Sequence, residues 1–154
     1  MKAGEIMTRN VATLPVTGTL ADAAKLMWDC NCGILPVVSE TEGRLTGVVT
    51  DRDVCMGALT QGAPLHQIPV TASMSHEVAT CLESDDLLTV EESMRGRRVR
   101  RLPVIDGERQ VIGIISLDDL ARVALEAGSG KAFITRSRLF SDDEWDELEA
   151  AGLV

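Results

Sequence analysis

Hydrophobic and polar positions along this chain switch repeatedly between two spacings. Leu20, Ala23, Ala24, Met27 and Trp28 recur at i, i+3, i+4, i+7 and i+8, the apolar stripe of an amphipathic helix, and Thr19 stands before it as an N-cap. Two short β-type runs follow, 34–38 and 45–49, parted by a polar turn that carries Gly43. A second helix is expected over 51–59, and a short extended piece over 11–14 precedes the first helix. The predicted order is strand, helix, strand, strand, helix.

The same order then recurs. A slide of 67 positions places Met7 on Met74, Val11-Ala12-Thr13 on Val78-Ala79-Thr80, Leu20 on Leu87, Met27 on Met94, and Leu35-Pro36-Val37 on Leu102-Pro103-Val104. The turn between the paired strands is one residue shorter in the second copy. A slide of 66 therefore places Gly47 on Gly113, Asp53 on Asp119 and Ala58-Leu59 on Ala124-Leu125. Strands are accordingly expected over 78–82, 102–105 and 111–115, with helices from Leu87 and over 117–126.

A unit of about 57 residues buries little interior alone, so the two copies are expected to share a core about an approximate twofold axis, with clefts between them. The fold class is thus α+β: two β-α-β-β-α repeats packed as a pseudo-twofold pair. The first repeat is assigned to 1–60, a linker containing Gly62, Pro64 and Pro69 to 61–69, and the second repeat to 70–126. A C-terminal tail, 127–154, lies outside the repeat. Its acidic stretch reads as a short helix with Ser141 as N-cap and Glu144 three residues on.

Composition adds limits. With 45% hydrophobic and 25% charged residues the chain is of ordinary globular type. A formal net charge of -9 opposes broad attraction to a nucleic-acid backbone, so direct nucleic-acid contact is not expected. The sequence has no apolar run of the roughly 20 residues that span a bilayer, nor a signal-peptide stretch at MKAGEIMTRN, which predicts a soluble, cytoplasmic chain without membrane contact. Cys30, Cys32, Cys55 and Cys81 lack metal-ligand spacing, and neither His66 nor His76 completes a set; reduced, mostly buried thiols are expected. Met7, Met27, Met74 and Met94 sit at matched positions and read as packing.

The chemistry concentrates where the second strand of each pair meets the second helix. Thr50 and Asp53 occupy that junction in copy one, Ser116 and Asp119 in copy two, each after a run opened by glycine. A hydroxyl three residues ahead of a carboxylate is a capping box, although Asp is shorter than Glu for reaching back to the N-cap amide. It also suits a nucleotide. A carboxylate there can accept both ribose hydroxyls, while the hydroxyl and free amides of the first helical turn donate to phosphate. Both readings stand on the sequence. Cations are at hand in Arg52 and in RGRRVRR, where Arg95, Arg97, Arg98, Arg100 and Arg101 make up five of the fifteen Lys and Arg residues. Solvated arginines at a helix end are an equal account of Arg95, Arg97 and Arg98, but a weaker one of Arg101, which adjoins the core strand 102–105.

These residues carry a family resemblance. IMT..VAT, GILPVV with RRLPVI, and GVVTDRD with GIISLDD resemble the tandem cystathionine-β-synthase (CBS) domains, the Bateman module, over about four-fifths of the chain. The resemblance implies a regulatory sensor of adenosine-containing molecules: AMP, ADP, ATP or S-adenosylmethionine. It implies ribose and phosphate contacts from Thr50 and Asp53 in one cleft and from Ser116 and Asp119 in the other. Base contacts would come from Thr8, Val11 and Ala12 with Ile34 and Pro36, and from Ser75, Val78 and Ala79 with Arg101 and Pro103. Ile34 of copy one is matched by Arg101 of copy two, so the clefts differ and at most one tight site is expected. The resemblance also implies a homodimer acting on an unknown regulated protein. The shared polar residues do not form a catalytic set, so no enzyme activity and no catalytic cofactor are expected. The alternative is a structural dimerisation module with unoccupied clefts. The acidic tail, with Trp145 and Leu148 on one side, is either a partner contact or a helix packed on its own module.

Overall fold

The computed structural model describes residues 1–128; the expected acidic helix from Ser141 lies outside the described residues. A short helix, α1 (Ala3–Ile6), precedes the first repeat, which comprises β1 (Leu14–Pro15), α2 (Leu20–Asp29), β2 (Ile34–Val38), β3 (Leu45–Thr50) and α3 (Asp51–Gln61). The second comprises β4 (Cys81–Leu82), α4 (Leu87–Arg97), β5 (Arg101–Ile105), β6 (Val111–Ser116) and α5 (Leu117–Glu126). Each half forms a three-stranded mixed sheet in which the first strand runs parallel and the third antiparallel to the central one.

Helix starts follow the local chemistry. Thr19, Thr50 and Ser116 each close a reciprocal capping box with Asp22, Asp53 and Asp119. Asp reaches the N-cap amide after all, at 2.8 Å in each case, because the extended N-cap backbone turns its N–H toward the N3 carboxylate. Helix α3 runs two residues past its expected end and stops at Gly62, whose φ of 60° is left-handed. The apolar stripe of α2 is narrower than its spacing suggested. Leu20, Ala23 and Met27 are buried, whereas Trp28, at the stripe's margin, is 86% exposed.

The two copies do not share one core. One cluster joins Leu20, Met27, Leu35, Val37 and Val49 of the first copy to Ile68 of the linker and to Val70 and Met74 from the start of the second copy. The other joins Val90, Met94, Leu102, Val104 and Ile115 of the second copy to Ala3 and Met7 of the first. Each half is thus completed by the leading segment of the other. Thr8 pairs with Ile114 through reciprocal backbone bonds of 2.8 and 3.0 Å, and Ser75 pairs with Val48 through bonds of 2.8 and 3.0 Å. Segment 61–69, expected as the linker between copies, contains a short 3-10 helix, Leu65–Gln67, and then docks. Ile68 is buried and its carbonyl accepts from the Leu20 amide at 2.9 Å. Arg44 pairs with Gln110, its own counterpart under the 66-residue slide, which places the pseudo-twofold axis at that bridge.

Glycine makes the exchange possible. A Cβ on Gly47 would lie 2.8 Å from Met74 Sδ and 2.9 Å from the Ser75 carbonyl oxygen; on Gly113 it would lie 2.5 Å from Met7 Sδ and 3.0 Å from the Thr8 carbonyl oxygen. Gly47→Ala and Gly113→Ala should each destabilise the protein by ~1–3 kcal/mol through overpacking. Gly96→Ala, in open space on α4, should instead be neutral or stabilising by up to about 1 kcal/mol. Urea titration checks this, and wild-type stability in both crowded variants would contradict the crossed arrangement.

The caps also carry a pH signature. Hydrogen bonds from the Thr19 backbone amide, then from its hydroxyl, hold Asp22 below the usual carboxylate range, and those from Thr89 do the same for Asp86 at the start of α4. A depressed folded value means that the stabilisation is complete above the unfolded value of about 3.9 and is lost as pH falls through the folded one. The stability gap between wild type and Asp22→Asn, followed by denaturant melts from pH 6 downward, should therefore close in acid.

Candidate functional site

Residue pairing across the sheets assembles the two junctions. Thr50 ends β3 and lies opposite Ile34, the first residue of β2; Ser116 ends β6 opposite Arg101, the first residue of β5. In the first junction one carboxylate oxygen, Asp53 Oδ2, accepts from both the Thr50 amide and the Thr50 hydroxyl at 2.8 Å. The Asp53 amide donates to Thr50 Oγ1 at 3.2 Å. Asp53 Oδ1 has no partner among the described residues, so the same side chain caps the helix and keeps an acceptor in reserve.

Ser116 and Asp119 repeat this geometry, with Ser116 donating to Asp119 Oδ2 at 2.8 Å from its amide and 2.6 Å from its hydroxyl. Here the second oxygen is not equivalent. Asp119 Oδ1 faces the Arg122 guanidinium at 3.8 Å, while the position matching Arg122 in copy one is Met56.

The expectation of free first-turn amides changes with the copy. In α3 the Asp51 amide donates to the Gly33 carbonyl at 3.2 Å, the Arg52 amide to Asp51 Oδ1 at 2.8 Å, and the Asp53 amide to Thr50. No first-turn amide is left there for a phosphate, only the exposed Arg52. In α5 the Leu117 amide is taken by the Arg100 carbonyl at 2.9 Å and the Asp119 amide by Ser116, but the Asp118 amide has no partner among the described residues.

Grouping by lobe replaces grouping by copy for the leading segments. Thr8, exposed, belongs to the edge of the second-half sheet with Ser116 and Asp119, not beside Ile34; Ser75 belongs beside β3 with Thr50 and Asp53. The chain crosses between halves just afterwards, since Ala12 packs on the first-half core and Ala79 on the second. Val11 and Val78 are half-buried on those crossings. Pro36 and Pro103 are fully buried, which leaves the accessible start of each central strand to Ile34 and Arg101.

Arg101 also acts across the halves. The Cys32 thiol is pushed up mainly by burial, opposed by a hydrogen bond from the Ile34 amide and by the positive charge of Arg101. An open depression of about 370 Å³ lies beside the first junction, walled by Met27, Trp28, Cys32, Gly33 and Asp51, and includes neither Thr50 nor Asp53. Sequence reasoning missed this hollow together with the Asp118 amide and Arg122. The last of these was legible as an arginine three residues after Asp119.

Two half-lobes of β-α-β-β-α order, each completed by its neighbour and each ending a strand in a hydroxyl-carboxylate junction, define a tandem-repeat module. The CBS domain family profile matches residues 3–58 and 66–126. This chain belongs to the CBS domain family. It is 37% identical over 117 residues to the CBS domain-containing protein YhcV of Bacillus subtilis, covering 76% of this chain and 81% of that one. Among solved structures, the CBS domain pair of MJ0100, in complex with 5′-methylthioadenosine and S-adenosylmethionine, superposes with a TM-score of 0.74 at 26% identity, covering 82% of this chain and 98% of that one. CBSX2 in complex with AMP gives 0.70 at 25% identity, with the same two coverages. A homoserine O-acetyltransferase of Methanococcoides burtonii is 30% identical over 119 residues, 77% of this chain but only 23% of the enzyme. Among the described residues no helix is long and apolar enough to cross a membrane, and no cluster of three or more His, Cys, Asp or Glu could hold a metal.

The cysteines are not mostly buried: Cys30 and Cys55 are exposed and Cys32 half-buried, because they fall on helix ends and outer faces. Only Cys81 is enclosed, and burial pushes its thiol up to about 12. Iodoacetamide at pH 8, followed by peptide mass spectrometry, should label Cys30 and Cys55 in the native protein and Cys81 only after denaturation.

Proposed function

We propose that this chain is a regulatory sensor that binds an adenosine-containing molecule, AMP, ADP, ATP or S-adenosylmethionine, between its two CBS repeats. The observation that carries the reading is the carboxylate at each junction, which spends one oxygen on its helix cap and leaves the other directed elsewhere. A ribose diol needs such an acceptor, and AMP, S-adenosylmethionine and methylthioadenosine all contain one. The ligands named for MJ0100 and CBSX2 support the class. Ser116, Asp119, Thr8 and Arg101 form the preferred cleft, since the open Asp118 amide and several neighbouring arginines supply donors for phosphate, whereas the first junction has Arg52 alone and no open first-turn amide. Thr50, Asp53 and Ile34 line a weaker site, with Pro36 buried next to Ile34 in the same strand.

Binding in either cleft would favour one packing of the halves, or of two copies in a homodimer, and so change the surface offered to a regulated protein. The response is limited by how much tighter the ligand holds one arrangement than the other. Binding chemistry is supplied at both junctions; the catalysis of the larger acetyltransferase relatives is not carried over, because this chain matches only a fraction of their length.

A dimerisation module with empty clefts is the second reading, favoured by Trp28, Met56 and Leu59, which lie exposed on α2 and α3. Titration calorimetry with the four ligands separates them. The sensor reading expects binding by at least one ligand, weakened roughly ten-fold or more by Asp119→Ala and less by Asp53→Ala, as befits loss of a charged hydrogen-bond acceptor. Each substitution should also cost about 1 kcal/mol of folding stability through the lost cap. Heat flow indistinguishable from dilution for all four ligands would leave the dimerisation reading standing alone.

A further inference from the structure

Five arginines, Arg95, Arg97, Arg98, Arg100 and Arg101, form a continuous exposed run in which none makes an ion pair among the described residues, within a chain of net charge -9. The macrodipole at the C-terminus of α4 accounts for Arg95 and Arg97, which occupy its last turn. It extends to Arg98 at the C-cap but does not account for Arg100 and Arg101, which lie past the helix end. Arg98 caps the helix with φ of 55°, a left-handed conformation costly for a branched-out side chain and easier for glycine or asparagine. The matching position in copy one is Asn31, also left-handed at φ 50°. Copy two therefore places a cation where the backbone favours another residue. Arg100 and Arg101 follow the helix, and the Arg100 carbonyl is bonded to the Leu117 amide, which sets the run against the start of α5.

The opposite charge lies in the same chain. Between Ser141 and Glu149 the sequence is SDDEWDELE, with Asp142, Asp143, Glu144, Asp146, Glu147 and Glu149 and not one Lys or Arg. Twelve residues separate it from Gly128, a tether that spans up to roughly 40 Å when extended. The return path is shorter than that: the ten residues of α5 cover about 15 Å back to the arginine run. We infer that the acidic segment 141–149 docks on the arginine face of residues 95–101 of its own chain and competes there with an anionic ligand of the Ser116–Asp119 cleft. The docking stands on charge and reach alone; the competition rests on the nucleotide reading above.

Trp145 reports the docking. In the full chain bearing Trp28→Phe, which alters an 86% exposed side chain, Trp145 is the remaining tryptophan. Acrylamide quenching of Trp145 should be weak at 20 mM NaCl and rise about two-fold or more at 0.5 M, as screening releases the segment. It should rise equally at low salt in the triple variant Arg97→Glu, Arg98→Glu, Arg100→Glu, and fall again when Asp142, Asp143 and Glu144 are changed to Lys in that background. Both effects should be independent of protein concentration over a hundred-fold range. Quenching insensitive to salt and to the arginine variant, or a concentration-dependent signal that assigns the contact to a second copy, overturns the docking. For the competition the probe is ATP: replacing the six acids by their amides should tighten ATP binding several-fold at low salt, and unchanged affinity overturns that step. If ATP, like AMP, ADP and S-adenosylmethionine, fails to bind either protein, the nucleotide reading falls while the Trp145 result still decides the docking.

Discussion

Everything else in the molecule depends on the reciprocal pairing of each leading segment with the other half's third strand. Met7 and Met74 each fill the core of the other repeat, and the Thr8–Ile114 and Ser75–Val48 backbone bonds hold them in register. Cooperativity between the halves follows from this, because neither core can be completed if the partner segment has peeled away. Packing against a bare Cα at Gly47 and Gly113 is what lets a sulfur and a backbone carbonyl approach so closely. The same pairing brings Thr8 and Ser75 to the sheets that end in Ser116 and Thr50. The exchange that builds the cores therefore also builds the clefts.

Much of this order was legible from spacing. The 67- and 66-residue slides located both repeats, and the bounds of α5 agree with those expected, because caps and apolar periodicity are local signals. The crossing was not legible. An apolar methionine announces burial but not the core that receives it, and the two glycines read as strand openings when they are points of close approach. Trp28 misled for a related reason: spacing places a residue within a stripe, whereas the stripe's width is set by the neighbour it meets, and α2 encloses Leu20, Ala23 and Met27, with Ala24 and Leu26 partly buried beside them, but leaves Trp28 outside. At the site, Thr50, Asp53, Ser116 and Asp119 were readable as pairs. The occupancy of the amides beside them was not, since it depends on whether Asp51 and Gly33 turn inward to satisfy α3.

Cap and grip, which competed on the sequence, are compatible in the folded chain. A carboxylate offers about four acceptor sites, and the cap uses one oxygen. The cap also fixes the side chain's rotamer before any ligand arrives, so less conformational entropy is lost on binding. Stability and recognition at Asp53 and Asp119 are then linked through one group.

Pseudo-symmetry makes the differences between the halves informative. At four matched positions the first half has Trp28, Asn31, Ile34 and Met56, and the second has Arg95, Arg98, Arg101 and Arg122. Each substitution is tolerated because the site lies on the surface or at its margin, so the fold does not demand either residue type. Their common sign is local to these positions rather than a property of the whole half, since the second half has Asp118 where the first has Arg52. In a chain carrying excess negative charge, such a concentration creates a local potential that the first half does not have. A phosphate entering between the repeats would meet apolar side chains and the single Arg52 at one junction, and several guanidinium groups at the other, together with the open Asp118 amide of α5. An identical fold thereby yields two electrostatically unlike clefts, and the chain's own acidic segment experiences the same potential as any ligand drawn to it.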